Sequence, residues 1–300
     1  MTDTLISPAP ARRRLGSSDI EVSAMAWGMW RIVGQDASPA QARVEAALAA
    51  GITLFDTADI YGPPFGAAET MLGRVLTDAP HLLAQMVIST KGGIRHGVPY
   101  DSSAGYLAEA INGSLQRLGI EQIDLWQIHR PDMLTHPEEI ARVLSDARDA
   151  GKIRAVGLSN FTVAHTNALR RYLPMPIVSH QPEFSPLALH PLSDGILDQA
   201  IEHDMTVLAW SPLGGGRIAD PRTERENAVL AALDAKARAS GVSRAVAAYS
   251  WIMAHPARPI PIMGTQDVAR IAEGATALSV GWGRTEWYAV LQASTGTTLP

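Results

Sequence analysis

Four ionisable side chains stand at or just beyond the ends of short apolar runs. Asp56 follows Thr53-Leu54-Phe55 with Tyr61 shortly after it, Lys91 follows Met86–Thr90, and His129 follows Leu125–Ile128. A phenol, an ammonium, a carboxylate and an imidazole could together serve the reduction of a carbonyl. Reducing a carbonyl requires a proton donor for the forming alkoxide, within hydrogen-bond reach. A free phenol, with a pKa of about 10, is a reluctant donor. An ammonium about 4 Å from its oxygen contributes roughly 4 kcal/mol at an effective dielectric of 20. That offsets up to about three pKa units, less whatever burial takes back. Lys91 fits this role, Asp56 would keep it charged, and a neutral His129 would orient the carbonyl. Taken singly, Asp56-Thr57 reads as a turn or cap, Tyr61 beside Gly62-Pro63-Pro64 as loop packing, and His129 as a core histidine. Lys91 is odder: the chain has only two other lysines, Lys152 and Lys236, and lysine is rarely buried without a partner.

These four need elements that bring them to one place. The apolar runs are Ala24–Trp30, Thr53–Ala58, Met86–Thr90, Leu125–His129, Ala155–Ser159, Ile177–His180, Thr206–Trp210 and Ile260–Met263. Each is short, partly β-branched or aromatic and bounded by turn residues, as buried strands are. Between them the apolar spacing predicts helices over Pro39–Ala50, Ala67–Leu76, Ser103–Leu118, Pro137–Ala150, Thr162–Arg171, Pro191–His203, Arg225–Ser240 with Val242–His255, and Asp267–Ala277. Gly51 and Gly151 mark helix ends. Alternation of this kind gives either a closed (β/α)8 barrel or an open doubly wound sheet. Eight evenly spaced runs without a linker favour an α/β protein of the barrel type, one domain over residues 1–300. Residues 1–12 are expected to be a leader without fixed structure, residues 13–23 a hairpin ahead of the barrel, and Trp282 and Trp287 part of a last helix. In such a barrel the reactive groups collect at the C-terminal ends of the strands, where all four candidates fall.

Composition removes other classes. The 300 residues are 46% hydrophobic and 18% charged, enough for a sizeable core without covalent staples. A net charge of −5 speaks against a nucleic-acid partner. The absence of cysteine excludes disulfides, thiolate metal sites and a cysteine nucleophile. With no metal cluster in the pattern, a hydride must come from an organic cofactor. No apolar stretch is long enough to span a membrane and the N-terminus is not a secretory signal, so a cytoplasmic protein is expected. Oligomeric state is not legible; a monomer is the working expectation.

The segment Gly51-Ile52-Thr53-Leu54-Phe55-Asp56-Thr57-Ala58-Asp59-Ile60-Tyr61-Gly62 resembles the aldo-keto reductase family. The likeness continues through Ser89-Thr90-Lys91, Asp124–Asp132, Gly151–Phe161, Gln181–Leu187, Ala209–Gly216 and Ile260–Thr265, in the family's order. The triple glycine after Ser211-Pro212-Leu213 is similar to that of a group of bacterial oxidoreductases. The resemblance implies reduction of aldehydes or ketones with Asp56, Tyr61, Lys91 and His129 as catalytic residues. It implies that Ser159, Asn160 and Gln181 hold a nicotinamide amide beside Trp210, and that Ser211, Leu213 and Gly215 meet the pyrophosphate. Ser159 and Asn160 also read as a cap for the following helix. Gly264, Thr265, Arg270 and Glu273 match the adenosine side. There the chain departs from the family, because the additional basic residue near the hydroxyl is missing and Gly274 stands for an asparagine. NADP is expected to be preferred, with NAD as a weaker alternative. Trp30 and the loops after Lys91 and His129 would line the substrate pocket. Two other classes compete: a cofactor-binding sensor or regulatory subunit of the same fold, and a barrel aldolase with Lys91 as a Schiff base.

Overall fold

The apolar runs become the parallel strands of a closed barrel in the computed structural model, which describes residues 5–6, 10–34 and 36–300. Three short strands, β1 (Leu5–Ile6), β2 (Arg12–Arg14) and β3 (Glu21–Ser23), come first. The barrel is β4 (Ala26–Gly28), β5 (Leu54–Asp56), β6 (Val87–Gly92), β7 (Ile123–Ile128), β8 (Ile153–Ser159), β9 (Ile177–Gln181), β10 (Thr206–Ala209) and β11 (Ile260–Met263). Neighbours in sequence are neighbours in the ring, and β11 closes onto β4 through Ile262 opposite Ala26. The helices are α1 (Ala37–Ala49), α2 (Ala67–Asp78), α3 (Ala104–Leu118), α4 (Pro137–Asp149), α5 (Val163–Arg170), α6 (Ile196–Glu202), α7 (Glu224–Ser240), α8 (Arg244–Met253) and α9 (Val268–Ala275). A two-residue strand, β12 (Trp282–Gly283), and α10 (Arg284–Thr295) end the chain.

Strand alternation divides the core in two. Leu54, Leu125, Ala155, Val178, Leu208, Ile260 and Ile262 fill the inside of the barrel, while Phe55, Trp126, Ile128 and Leu158 pack outward under the helices. The floor is plugged by the β2–β3 hairpin, whose Leu15, Ile20 and Val22 join the inner cluster. Gly16 in its turn has φ +54 and lies so close to the backbone of Val178 and Asp204 that no side chain would fit. Its N–H donates to Thr206 Oγ1 at 2.7 Å, tying hairpin to barrel.

Three expectations are corrected. Leu5–Ile6, within the leader, pairs antiparallel with Trp282–Gly283; residues 1–4 and 7–9 lie outside the described ones. That pairing takes Trp282 out of the last helix, which starts after Gly283. The helix expected over Pro191–His203 is broken. A 3-10 turn covers His190–Leu192, and α6 starts only after Gly195, at φ +83. No helix among the described residues is long and apolar enough to cross a membrane.

Candidate active site

Asp56 ends β5 on the inward face that Leu54 shares, and Lys91 lies on β6 in line with Val87 and Ser89. The Lys91 ammonium is fully buried and donates to Asp56 Oδ1 at 2.8 Å, Asp56 Oδ2 at 2.7 Å and the Thr57 carbonyl at 2.7 Å. Asp56 Oδ1 also accepts from Gln181 Nε2 at 2.9 Å and Ser89 Oγ at 3.2 Å. Behind them a polar chain crosses the barrel. Gln127 Nε2 donates to Ser89 Oγ at 2.9 Å, and Ser179 Oγ donates to Gln127 Oε1 at 3.5 Å. Gly157 leaves room for this chain, since a Cβ there would overlap Ser179 Oγ and stand 3.0 Å from Gln127 Cγ. Sequence reading missed Ser89, Gln127 and Ser179. Their signal was a polar residue interrupting an apolar run.

Tyr61 sits in the loop between β5 and α2, held through its N–H to the Ala58 carbonyl and its own carbonyl to the Ala68 N–H. Its ring centre is 5.2 Å from the Lys91 ammonium and meets the His129 ring edge to face at 5.8 Å. His129 follows β7 and is tied by its backbone N–H to the Gly92 carbonyl at 2.8 Å. The structure therefore brings Asp56, Tyr61, Lys91 and His129 to one mouth of the barrel.

The charges follow from burial and pairing. Burial works against the Lys91 charge, but Asp56 and then Tyr61 more than restore it, and the ammonium is held above its ordinary value. A Schiff-base lysine must shed that proton, which Asp56, Tyr61 and the Thr57 carbonyl hold in place; this speaks against the aldolase reading. Burial raises the Tyr61 phenol, Lys91 lowers it, and Asp56 raises it again. The net direction is upward. Burial is the largest of these influences, so it takes back more than Lys91 supplies. Burial, helped by Lys91 and Arg130, holds the His129 pKa well below the usual imidazole range, so the ring is neutral at pH 7. Asp59, in the same loop as Tyr61, is buried beside Glu69. Its carboxyl is pushed up to about 8, by burial first and Glu69 second, although Arg117 opposes this.

The candidate cofactor residues continue from the same mouth. Ser159 Oγ donates to the Gln181 carbonyl at 3.0 Å, and Asn160 Nδ2 donates to Ser159 Oγ at 2.7 Å. Trp210 Nε1 donates to Asn160 Oδ1 at 2.9 Å. These four thus form one connected array of amide, hydroxyl and indole groups beside Asp56. The helix cap is not among them: Thr162 caps α5, its Oγ1 accepting from the His165 N–H at 3.1 Å. Beyond Trp210, Ser211 has φ +49 and Leu213 leads into Gly214, Gly215 and Gly216, all with positive φ. No atom lies within 4 Å of where a Cβ would stand on Gly215 or Gly216, an open backbone surface that fits a phosphate group.

On the adenosine side the arrangement is less favourable to an anion. The helix expected over Asp267–Ala277 is α9 (Val268–Ala275), and Asp267 is its cap, accepting from the Arg270 N–H at 3.1 Å. The Thr265 hydroxyl accepts from the Asp267 N–H, and its carbonyl takes the Trp27 indole N–H at 2.8 Å. Arg270 and Glu273 are exposed on α9. Gly274 is explained by packing, because a Cβ there would overlap the Met263 sulfur. Sequence reading missed one cation here: Arg43 of α1 donates Nε to the Gln266 carbonyl at 3.0 Å. Trp30 is 50% exposed, its indole 3.6 Å from the Cβ position of Gly264. Val98, Tyr100, Met133 and Leu134 are exposed apolar side chains on the loops after Lys91 and His129.

The pattern of the aldo/keto reductase family matches residues 24–289. The chain is 56% identical to the 6-dehydroglucose reductase of Novosphingobium aromaticivorans, over 97% of this chain and 98% of that protein. It is 38% identical to the 6-dehydroglucose reductase of Agrobacterium fabrum, over 95% and 98% respectively. Among solved structures, the glycerol dehydrogenase of Gluconobacter oxydans superimposes with a TM-score of 0.83 at 25% identity, over 97% of this chain and 98% of that one.

Proposed function

Because the chain belongs to the aldo/keto reductase family, an oxidoreductase family acting with nicotinamide cofactors, we propose that it reduces the aldehyde of a sugar-like substrate to the primary alcohol, with NADPH as the preferred donor. The observation that carries this reading is the fully buried Lys91–Asp56 pair beneath Tyr61 and His129. The sugar-like substrate rests on the two 6-dehydroglucose reductases to which the chain is similar.

Ser159, Asn160, Gln181 and Trp210 would hold the nicotinamide end, Ser211, Leu213 and Gly215 the pyrophosphate, and Gly264, Thr265, Arg270 and Glu273 the adenosine. When bound, the reduced nicotinamide supplies a hydride to the carbonyl carbon. Tyr61 gives its proton to the carbonyl oxygen as that oxygen gains charge, and Lys91 stabilises the phenolate left behind. Solvent then restores the phenol proton. The neutral imidazole of His129 donates a hydrogen bond that points the carbonyl oxygen at Tyr61. Asp56, held by Gln181 and Ser89, keeps Lys91 charged in a site with little water.

The test is to mix the protein with NADPH or NADH and a panel of aldoses, simple aldehydes and ketones, following cofactor absorbance. Cofactor binding without turnover of any carbonyl would turn the assignment toward the sensor or subunit reading.

A further inference from the structure

Arg130, the residue after His129, has no part in the hydrogen bonding described above. Its side chain is partly buried, and its guanidinium carbon is 5.7 Å from the ring centre of Trp210. Asn160 bridges the same gap, bonded to the His129 carbonyl on one side and the Trp210 indole on the other. Arg130 therefore reaches from the end of β7 toward the end of β10, over the mouth that holds the tetrad. Several other arginines have carboxylate partners: Arg95 with Asp101, Arg117 with Glu69, Arg154 with Asp124, Arg217 with Glu226 and Arg244 with Asp234. Among the described residues Arg130 has neither an ion pair nor a hydrogen bond. The Trp210 contact is near the outer limit of a cation–π interaction and satisfies none of its N–H donors.

A guanidinium presents five N–H donors in a rigid planar fork, suited to two acceptor atoms side by side. A carbonyl carbon placed at Tyr61 and His129 would bring the substituents of the adjoining carbons toward Arg130. We propose that Arg130 selects aldehydes with adjacent hydroxyls, gripping a pair of hydroxyl oxygens on the carbons next to the carbonyl. Hydroxyls suit the site better than a carboxylate or phosphate. The charge of Arg130 lowers the pKa of both Tyr61 and His129, although burial outweighs it at Tyr61. An anionic substituent would cancel that field and place negative charge beside the forming alkoxide, whereas hydroxyls satisfy the donors and leave the field in place.

This inference rests on the reductase reading, and the experiment separates the two. Glyceraldehyde and propanal share a carbon skeleton and differ in two hydroxyls; glyceraldehyde 3-phosphate adds the anion. Wild type, Arg130→Met and Arg130→Lys are compared on all three with saturating NADPH. In Arg130→Met the preference for glyceraldehyde over propanal, as a ratio of kcat/KM, should fall at least about tenfold, mainly through the KM of glyceraldehyde. Arg130→Lys should recover little of it, because an ammonium keeps the charge and loses the fork. An unchanged ratio in Arg130→Met overturns the proposal. So does a loss confined to glyceraldehyde 3-phosphate with rescue by lysine, which would make Arg130 an anion site. If wild type reduces none of the three, the reductase reading itself fails, and this inference with it.

Discussion

Gln181 donates its side-chain amide to Asp56 Oδ1 at 2.9 Å, and the same oxygen receives the Lys91 ammonium at 2.8 Å. A residue that the family resemblance assigns to the nicotinamide amide thus also fixes the carboxylate beneath Tyr61. Replacing it by leucine removes one of the donors to a buried charge, a bond worth about 1.5–3 kcal/mol. Gln181→Leu should lose about that much stability in urea unfolding and bind nicotinamide more weakly in fluorescence quenching. Full stability with weaker cofactor binding would mean that the bond to Asp56 is idle.

Tyr61→Phe should lower carbonyl reduction by about 10²–10⁴-fold while leaving the cofactor dissociation constant unchanged, since it deletes only the proposed proton donor. The pH dependence has a definite sign. Reduction needs the protonated phenol, and burial raises its pKa. Reduction should stay level from neutral pH to beyond the ordinary phenol value of about 10, while alcohol oxidation, which needs the phenolate, climbs with pH. A reduction rate already falling between pH 7 and pH 9 would remove Tyr61 from this role.

Lys91→Met is expected to abolish turnover for two reasons that can be separated. It removes the charge that stabilises the phenolate, and it leaves Asp56 buried without its cation, which costs about 3–5 kcal/mol. The double variant Asp56→Asn with Lys91→Met should regain most of that stability and none of the activity. Should the double variant be as unstable as Lys91→Met alone in urea unfolding, the cost lies outside the ion pair.

The eight strands were legible because parallel strands covered on both faces appear as short apolar runs, and Leu125–Ile128 or Ile260–Met263 admit little else. The meeting of Asp56, Tyr61, Lys91 and His129 at one mouth was legible because they stand at or just beyond the ends of those runs. The pairs that join distant strands were not. Ser89, Gln127 and Ser179 meet only after the barrel closes, and Arg43 reaches Gln266 across 223 residues of sequence. Local signals also misled where backbone geometry decides. The apolar spacing of Pro191–His203 reads as one helix, yet Gly195 takes a left-handed conformation that interrupts it.

Asp59 gives the fold a pH dependence of unusual sign. Its native pKa of about 8 lies above the unfolded value of about 3.9, so between those values the native state holds a proton that the unfolded state has lost. Stability from this group therefore falls as pH rises. Below about 6.5 the slope is masked by His129 and His180, both lowered by burial, His180 to about 4, which make stability fall as pH drops. The decline should show between about pH 6.5 and pH 8 in urea unfolding. Asp59→Asn, which mimics the neutral carboxyl, should abolish it, and an undiminished slope in that variant would assign it to another group.

The last prediction concerns the choice between NADP and NAD. The family resemblance places a 2′-phosphate near Thr265 and Arg270, where the additional basic residue is missing from the local sequence. The structure adds opposing features. Asp267 caps α9 with a carboxylate, which weakens the attraction of a helix N-terminus for a phosphate. Arg43 stands beside Gln266 with Nε fixed, and supplies a cation from another helix. Arg270→Ala and Arg43→Met should each weaken NADPH binding in proportion to a lost charged hydrogen bond, about 1.5–3 kcal/mol, and leave NADH nearly unaffected. Asp267→Ser keeps a capping oxygen and removes the charge; it should strengthen NADPH by about 0.3–1 kcal/mol, roughly twofold to fivefold. Dissociation constants for both cofactors, measured by fluorescence quenching at low ionic strength, decide it. Equal affinities in the wild type would show that the phosphate is not gripped, and an Arg270→Ala variant that binds NADPH as well as the wild type would show that it is held elsewhere.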